Sequence, residues 1–376
     1  MSPSSPRRQP EGRQQEENSV PERNFLSQID LFASGEGGYH TYRIPALATT
    51  AEGTVLAFCE GRKHSRSDAG KIDLLLRRSA DGGHSWGPTQ VVVTDSDMTC
   101  GNPCPVVATS GGEEIICLPF CKNLGDGPEG MIVEGKAPRT VWITRSRDDG
   151  ATWEEPVEIT DTVKDPSWTW YATGPGHGIQ LSTGRLVVPC DHIVGVDFNR
   201  GDPYHSHVIV SDDAGASWRL GGIVPDGTNE CAVTELADGS IYINCRNYRG
   251  EKRRAAAWSR DGGDSFGDHF WEEKLVEPIC QASMIALSGE DADGRDRVLF
   301  ANPASEEREK LRVRVSLDQC RSWSEGRELF GGPAAYSDLA IVEEGEILCL
   351  YERGPDNPNE FLTLARFDLG WLEATD

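Results

Sequence analysis

The segment TYRIPALA, residues 41–48, sets Arg43 inside an apolar, strand-like run and follows it with Pro45. A valine would pack better there, so the guanidinium needs a use other than stability. Arg246, in INCRNYRG, and Arg308, in NPASEEREKLRVRVS, also fall near the ends of strand-like runs, far apart in the chain. A guanidinium presents a planar fork of N–H donors that matches the oxygens of an anion, and several together would grip an anionic ligand. The chain as a whole would repel one. It has 61 Asp+Glu against 37 Lys+Arg, a formal charge of −24, which argues against phosphate backbones and anionic lipid surfaces as partners. The same acidity also serves as a solubility device. Any anion that binds must therefore be drawn to a local cluster of arginines.

Metal chemistry has a thinner case. Eleven cysteines are scattered along the chain, and Cys100/Cys104 and Cys117/Cys121 have CxxxC spacing, which zinc could use. Most of the eleven stand in apolar runs such as VLAFCEG, RLVVPC and EILCLYE, where a small thiol packs well. We therefore expect structural thiols in a reducing, cytoplasmic setting, with no metal and no cofactor. Residues 1–24, rich in Pro, Gln, Glu and Arg, lack an apolar central stretch, so they predict a disordered tail and not a signal peptide. No window of about 18 apolar residues occurs, so no membrane insertion is expected.

The elements that must position these side chains are marked by a repeat. The pattern S-x-D-x-G-x-[ST]-[WF] occurs at 79–86, 146–153, 211–218, 259–266 and 316–323, the last with Cys320 in the glycine slot. The Asp accepts hydrogen bonds within its own turn, the Gly supplies positive φ, and the aromatic pins the turn to a neighbouring sheet. Between the turns lie short β-rich runs with almost no helical periodicity. The four intervals from Ser79 to Ser316 average about 59 residues, the size of a four-stranded blade with its loops. The length after the tail holds six such units. The expectation is an all-β chain: a six-bladed β-propeller of four-stranded antiparallel blades, one blade lacking the turn motif, forming a single domain over 25–376. A β-helix or a pair of sandwiches accounts for this period less well.

With that frame, YRIP, the five turns, AFCEGRKHSRSDAGKIDLLLRRS, GNPCP, GPGHG, NECAVTEL, CRN and YSDLA, in this order, resemble the exo-α-sialidase (neuraminidase) family. The resemblance covers essentially everything after the tail. It implies that Arg43, Arg246 and Arg308 form a triad holding the carboxylate of a sialic acid, with Glu352 orienting Arg43. It implies Tyr336 as nucleophile, Glu230 as its base and Asp68, on the polar loop KHSRSDAGK, as acid/base. A tyrosine suits this substrate, since a carboxylate nucleophile would be repelled by a carbon that already bears a negative group. Arg62 matches an arginine near the ring hydroxyls, and Asn102, Trp170, Tyr171, Asp191 and His192 lie in segments that line the pocket of relatives. Some relatives place tyrosines where this chain has PCDHI, which leaves the contacts to the glycerol and N-acetyl groups open. His177, in GPGHG, either braces its turn or touches sugar.

The activity so implied is retaining hydrolysis of terminal α-linked sialic acids from glycoproteins, oligosaccharides or gangliosides. Two alternatives keep the same catalytic residues: a hydrolase preferring the deaminated sugar, and a trans-sialidase. A non-catalytic glycan-binding propeller would keep the turns and could lose Tyr336, Glu230 or Asp68, all of which are present.

Overall fold

The computed structural model describes residues 25–195, 204–225, 227–289, 293–342 and 345–374. The tail expected over 1–24 lies outside the described residues. The fold is all-β, and the ladders are antiparallel except where Ile72 meets Thr99.

Along the chain the pairings fall into four-stranded antiparallel runs. The first comprises Thr41–Thr49, Val55–Arg62, Ile72–Ser79 and Gln90–Val93. The second comprises Val106–Ser110, Glu113–Asn123, Arg139–Ser146 and Val157–Glu158. In the third, Trp168–Thr173 and Ile179–Gln180 share one edge of Leu186–Val194, followed by Tyr204–Ser211 and Arg219–Ile223. The fourth comprises Thr228–Glu235, Ile241–Asn247, Arg253–Ser259 and Phe270–Val276. The fifth takes Ser283–Leu287, Arg297–Pro303, Glu309–Ser316 and the first part of the long strand Arg327–Ile341. The sixth takes the rest of that strand, then Ile347–Arg353 and Phe361–Phe367, and is completed by Leu26–Ala33 from the other end of the chain.

Each of the five repeated octets joins the third strand of its run to the fourth. The sixth run has none because its third and fourth strands are not consecutive in the chain. In the first octet the Asp81 carboxylate accepts from Ser79 Oγ at 2.7 Å, Ser85 N at 2.8 Å and Ser85 Oγ at 2.6 Å, and Trp86 Nε1 donates to the Gly83 carbonyl at 3.1 Å. The fifth octet keeps the Ser–Asp bonds although Cys320 takes up φ 61° in the glycine position. Arginines from one run then cap the turn of the next: Arg78 Nε on the Asp149 carbonyl at 2.9 Å, Arg145 Nε on Gly215 at 2.9 Å, and Arg185 Nη1 on Gly262 at 3.0 Å.

The core is divided to match. One apolar cluster joins the first and second runs through Phe58, Leu76, Leu118 and Phe120. Others join second to third, third to fourth, fourth to fifth and fifth to sixth. A further cluster joins the sixth back to the first, through Leu350, Leu364, Leu47 and Leu75. All eleven cysteines are buried free thiols, most of them in these clusters. Among the described residues no helix is long and apolar enough to cross a membrane.

Candidate active site

Arg43 lies where the ladder between the first two strands slips, between Arg43 and Ala46. Its neighbour Ile44 takes φ 58°, a region costly for a β-branched residue, on the order of 1–3 kcal/mol. One carboxylate holds the distortion in place. Glu352, fully buried on Ile347–Arg353, accepts from Arg43 Nε at 3.0 Å, Arg43 Nη2 at 3.1 Å and the backbone N–H of Ile44 at 3.0 Å. Burial works against the charge on Arg43, but Glu352, Tyr336 and Asp68 together more than offset it and hold the guanidinium firmly protonated.

Three guanidinium groups from different runs surround one phenol. Arg43 Cζ lies 5.0 Å from the centre of the Tyr336 ring and Arg308 Cζ 5.5 Å, while Arg246 Nη1 lies 3.0 Å from the Tyr336 hydroxyl. The same hydroxyl donates to Glu230 Oε1 at 2.5 Å, and Glu230 Oε2 accepts from Arg246 at 2.5 Å. Burial first, and then the charge of Glu230, push the Tyr336 hydroxyl well above its ordinary pKa, with Arg246 and Arg308 pulling the other way. The resting phenol is therefore neutral and already hydrogen-bonded to the Glu230 side chain. Arg308 precedes its strand, Glu309–Ser316, and donates to the Ile279 carbonyl at 3.0 Å.

Asp68 is exposed on the loop between Val55–Arg62 and Ile72–Ser79, within 2.8 Å of Arg62 Nη2 and 3.4 Å of Arg43 Nη1. Desolvation opposes its charge, but Arg62 and then Arg43 hold its carboxyl below the ordinary value. Arg62 is itself fixed by Glu60 Oε2, at 2.9 Å from Nε and 2.7 Å from Nη2. The backbone N–H of Asn102 donates to the other oxygen of Glu60 at 2.9 Å.

The remaining sequence expectations divide by strand alternation. Asp191 is buried on the site side, with one oxygen accepting from Asn229 Nδ2 at 2.8 Å and the other without a partner. Burial, then the charge of Glu230, raise its carboxyl well above the ordinary value. His192, next along the strand, turns the other way: it stacks on Trp168 with ring centres 3.4 Å apart and meets His207 Nδ1 at 3.0 Å. Tyr171 likewise places its ring in the apolar cluster between the second and third runs. These two side chains are core residues and not pocket lining, because each neighbour of a site-facing residue on a strand must point away. His177 braces the interior, its Nδ1 2.8 Å from Asp338 Oδ1.

Sequence reasoning missed Arg139. It is buried, donates to Asn102 Oδ1 and Asn123 Oδ1, each at 2.5 Å, and lies 4.2 Å over the Trp170 ring. The signal that marked Arg43, a cation in a strand-like run, was present in PRTVWIT too. Also missed was the parallel stack of Tyr204 on Tyr248, with centres 4.4 Å apart, whose Tyr248 hydroxyl accepts from Arg246.

Residues 53–349 match the family described as BNR repeat-like domain. The chain is 32% identical to an exo-alpha-sialidase of Aspergillus fumigatus over 370 residues, covering 89% of this chain and 86% of that protein. It is 32% identical to sialidase-3 of Bos taurus, covering 87% and 89%. The solved structure of the Hadza microbial sialidase Hz136 superposes with a TM-score of 0.82 at 28% identity, covering 92% of this chain and 69% of that one. Sequence and fold thus converge on one assignment: the chain belongs to the sialidase family of glycoside hydrolases.

Proposed function

We propose that the chain is a retaining exo-α-sialidase that uses Tyr336 as nucleophile. The observation that carries this reading is the Tyr336 hydroxyl, 2.5 Å from Glu230 and ringed by three arginines from separate runs. Arg43, Arg246 and Arg308 grip the substrate carboxylate. The phenol then attacks the anomeric carbon as its proton passes to Glu230, and Arg246 and Arg308 favour the developing phenolate. Asp68 protonates the leaving oxygen. A substrate carboxylate on Arg43 offsets part of the charge that keeps Asp68 acidic, so binding itself favours the protonated form of the catalyst. Water deprotonated by Asp68 next attacks the same carbon, the phenolate leaves, and Tyr336 recovers its proton from Glu230. Two displacements preserve the configuration.

The scaffold we infer is a six-bladed β-propeller, one domain over 25–376. Its support is the cyclic series of six apolar clusters and the first strand completing the last run. Substrates are terminal α-linked sialic acids on glycoproteins, oligosaccharides or gangliosides.

The test is hydrolysis of a fluorogenic α-sialoside and of its deaminated analogue by wild type and Tyr336→Phe, with NMR of the first sugar anomer released. Release from neither substrate by wild type would sink the hydrolase reading. A Phe variant equal to wild type would remove Tyr336 from its role, and β anomer appearing first would refute retention. Free sugar as the product, with no transfer to added lactose, separates hydrolysis from trans-sialylation.

A further inference from the structure

Cys231 and Cys245 stand directly opposite one another on the neighbouring antiparallel strands Thr228–Glu235 and Ile241–Asn247. Both are buried in one apolar cluster, and Cys231 Sγ donates to the Cys190 carbonyl at 3.4 Å. Opposed residues on antiparallel strands have Cα atoms about 4.5–5.5 Å apart. That lies inside the window of about 4.4–6.8 Å that a disulfide spans. Each thiol also adjoins a site residue in sequence: Cys231 follows Glu230, and Cys245 precedes Arg246. Alternation places the thiols on the core face and the site residues on the other. The ladder slips between Thr228 and Cys231, so Glu230 rides in a bulge whose far end is the Cys231–Cys245 pair.

We propose that Cys231 and Cys245 form a reversible disulfide that switches off the neighbouring site when a peroxide is present. Cys245 is the attacking partner. Burial opposes its thiolate, but hydrogen bonds with Cys231 and Ser206 and the nearby Arg254 hold its pKa below the ordinary value, whereas burial pushes Cys231 up. The Cys245 sulfur attacks hydrogen peroxide to give a sulfenic acid and one water. The Cys231 sulfur then displaces that hydroxyl, forming the S–S bond and a second water. Two S–H bonds and the O–O bond are lost, and the two electrons end on the peroxide oxygens. Closure draws the Cβ atoms from about 4.5–5.5 Å to about 3.8 Å. The movement falls on the bulge that sets Glu230 against Tyr336 and Arg246. A misplacement of about 1 Å at such a site costs on the order of 100-fold in rate.

The experiment treats the full chain with hydrogen peroxide, alkylates the remaining thiols, maps the peptides without reduction and assays sialoside hydrolysis before and after dithiothreitol. The expected result is a Cys231–Cys245 cross-linked peptide, a fall in kcat/KM on the order of 100-fold, and recovery on reduction. Cys231→Ser and, as a second replacement, Cys231→Val should keep basal activity and resist peroxide. A disulfide containing Cys190, whose carbonyl accepts from Cys231 Sγ at 3.4 Å, would overturn the assignment. So would over-oxidation without a cross-link, or a cross-linked protein of full activity. The activity readout rests on the sialidase reading, but the peptide map does not: an inactive wild type that still forms the cross-link would sink that reading and the switch, and leave only the disulfide.

Discussion

His192 and His207 set a limit on acid stability. Both are buried, their Nδ1 atoms are 3.0 Å apart, and His207 Nε2 has no partner. A contact between two ring nitrogens needs one proton between them, so protonating both rings would oppose two donors in the core. Burial, followed by His205, pushes His207 down to about 3. Burial, followed by His207, His205 and Lys164, lowers His192 further. Because the folded pKa values lie below the unfolded value of about 6.5, the unfolded chain takes up protons that the folded chain refuses as pH falls. The stability these groups contribute is therefore fully present above about pH 7.5 and is lost progressively below 6.5. Integrated from pH 7 to pH 5, the loss is about 2 kcal/mol for His207 alone and about 4 kcal/mol for the pair. With an unfolding entropy near 2.1 cal/mol/K per residue over about 350 residues, the pair lowers Tm by roughly 5 °C. Calorimetry at pH 7, 6 and 5 on wild type and His207→Asn isolates this contribution, since Asn retains a polar atom near the Nδ1 position and every other titration is common to both. The variant should lose at least about 2 kcal/mol less than wild type over that interval. Parallel loss in the two proteins would refute the reasoning.

Replacing Glu352 with Gln leaves Arg43 buried without its counter-charge. The cost should be about 3–5 kcal/mol, or roughly 4–7 °C in Tm, with a large fall in kcat/KM, checked by calorimetry and steady-state kinetics. Asp68→Asn should slow hydrolysis of sialosides with sugar leaving groups far more than those with activated phenols, which need little protonation; equal loss on both would count against Asp68 as the acid. Asp81→Ala removes three hydrogen bonds in the first octet, and should cost about 1–3 kcal/mol by denaturant titration while leaving kcat/KM unchanged.

How far the site could be read in advance depended on what each residue type excludes. Arg43 was legible because no packing argument places a cation in YRIPALA. Tyr336, Glu230 and Asp68 were not legible alone, since a strand tyrosine, a strand glutamate and a loop aspartate are all ordinary residues; only their order among other motifs marked them. Trp170 and Tyr171, or Asp191 and His192, could not be sorted from sequence, because a strand sends successive side chains to opposite faces and neither pair shows which face is apolar. The structure sorts them: Trp170 meets Arg139 and Asp191 meets Asn229, while Tyr171 and His192 go into the core. The repeat, by contrast, was legible down to its missing copy. A staple that joins consecutive strands has no place where the last strand of a run comes from the other end of the chain.

Burial of arginine does not by itself mark this site. Arg254 is as deeply buried as any residue, yet Asn244 Oδ1, Glu277 Oε2 and the Cys280 carbonyl absorb its donors. Arg297 is closed in the same way by Asp293 and Glu373. Around Tyr336 the arrangement differs. Arg246 keeps a buried Nε without an acceptor, Arg308 donates to the Ile279 carbonyl, and Arg43, held by Glu352, is followed by Ile44 in left-handed backbone. The unpartnered Arg246 Nε and the left-handed Ile44 are local losses that folding alone would remove. They persist because the six interlocked runs, with their stapled turns and shared cores, over-determine the strands that carry them. In the mechanism proposed above, the cations stand in place already, and the substrate carboxylate would meet donors that need no reorganisation.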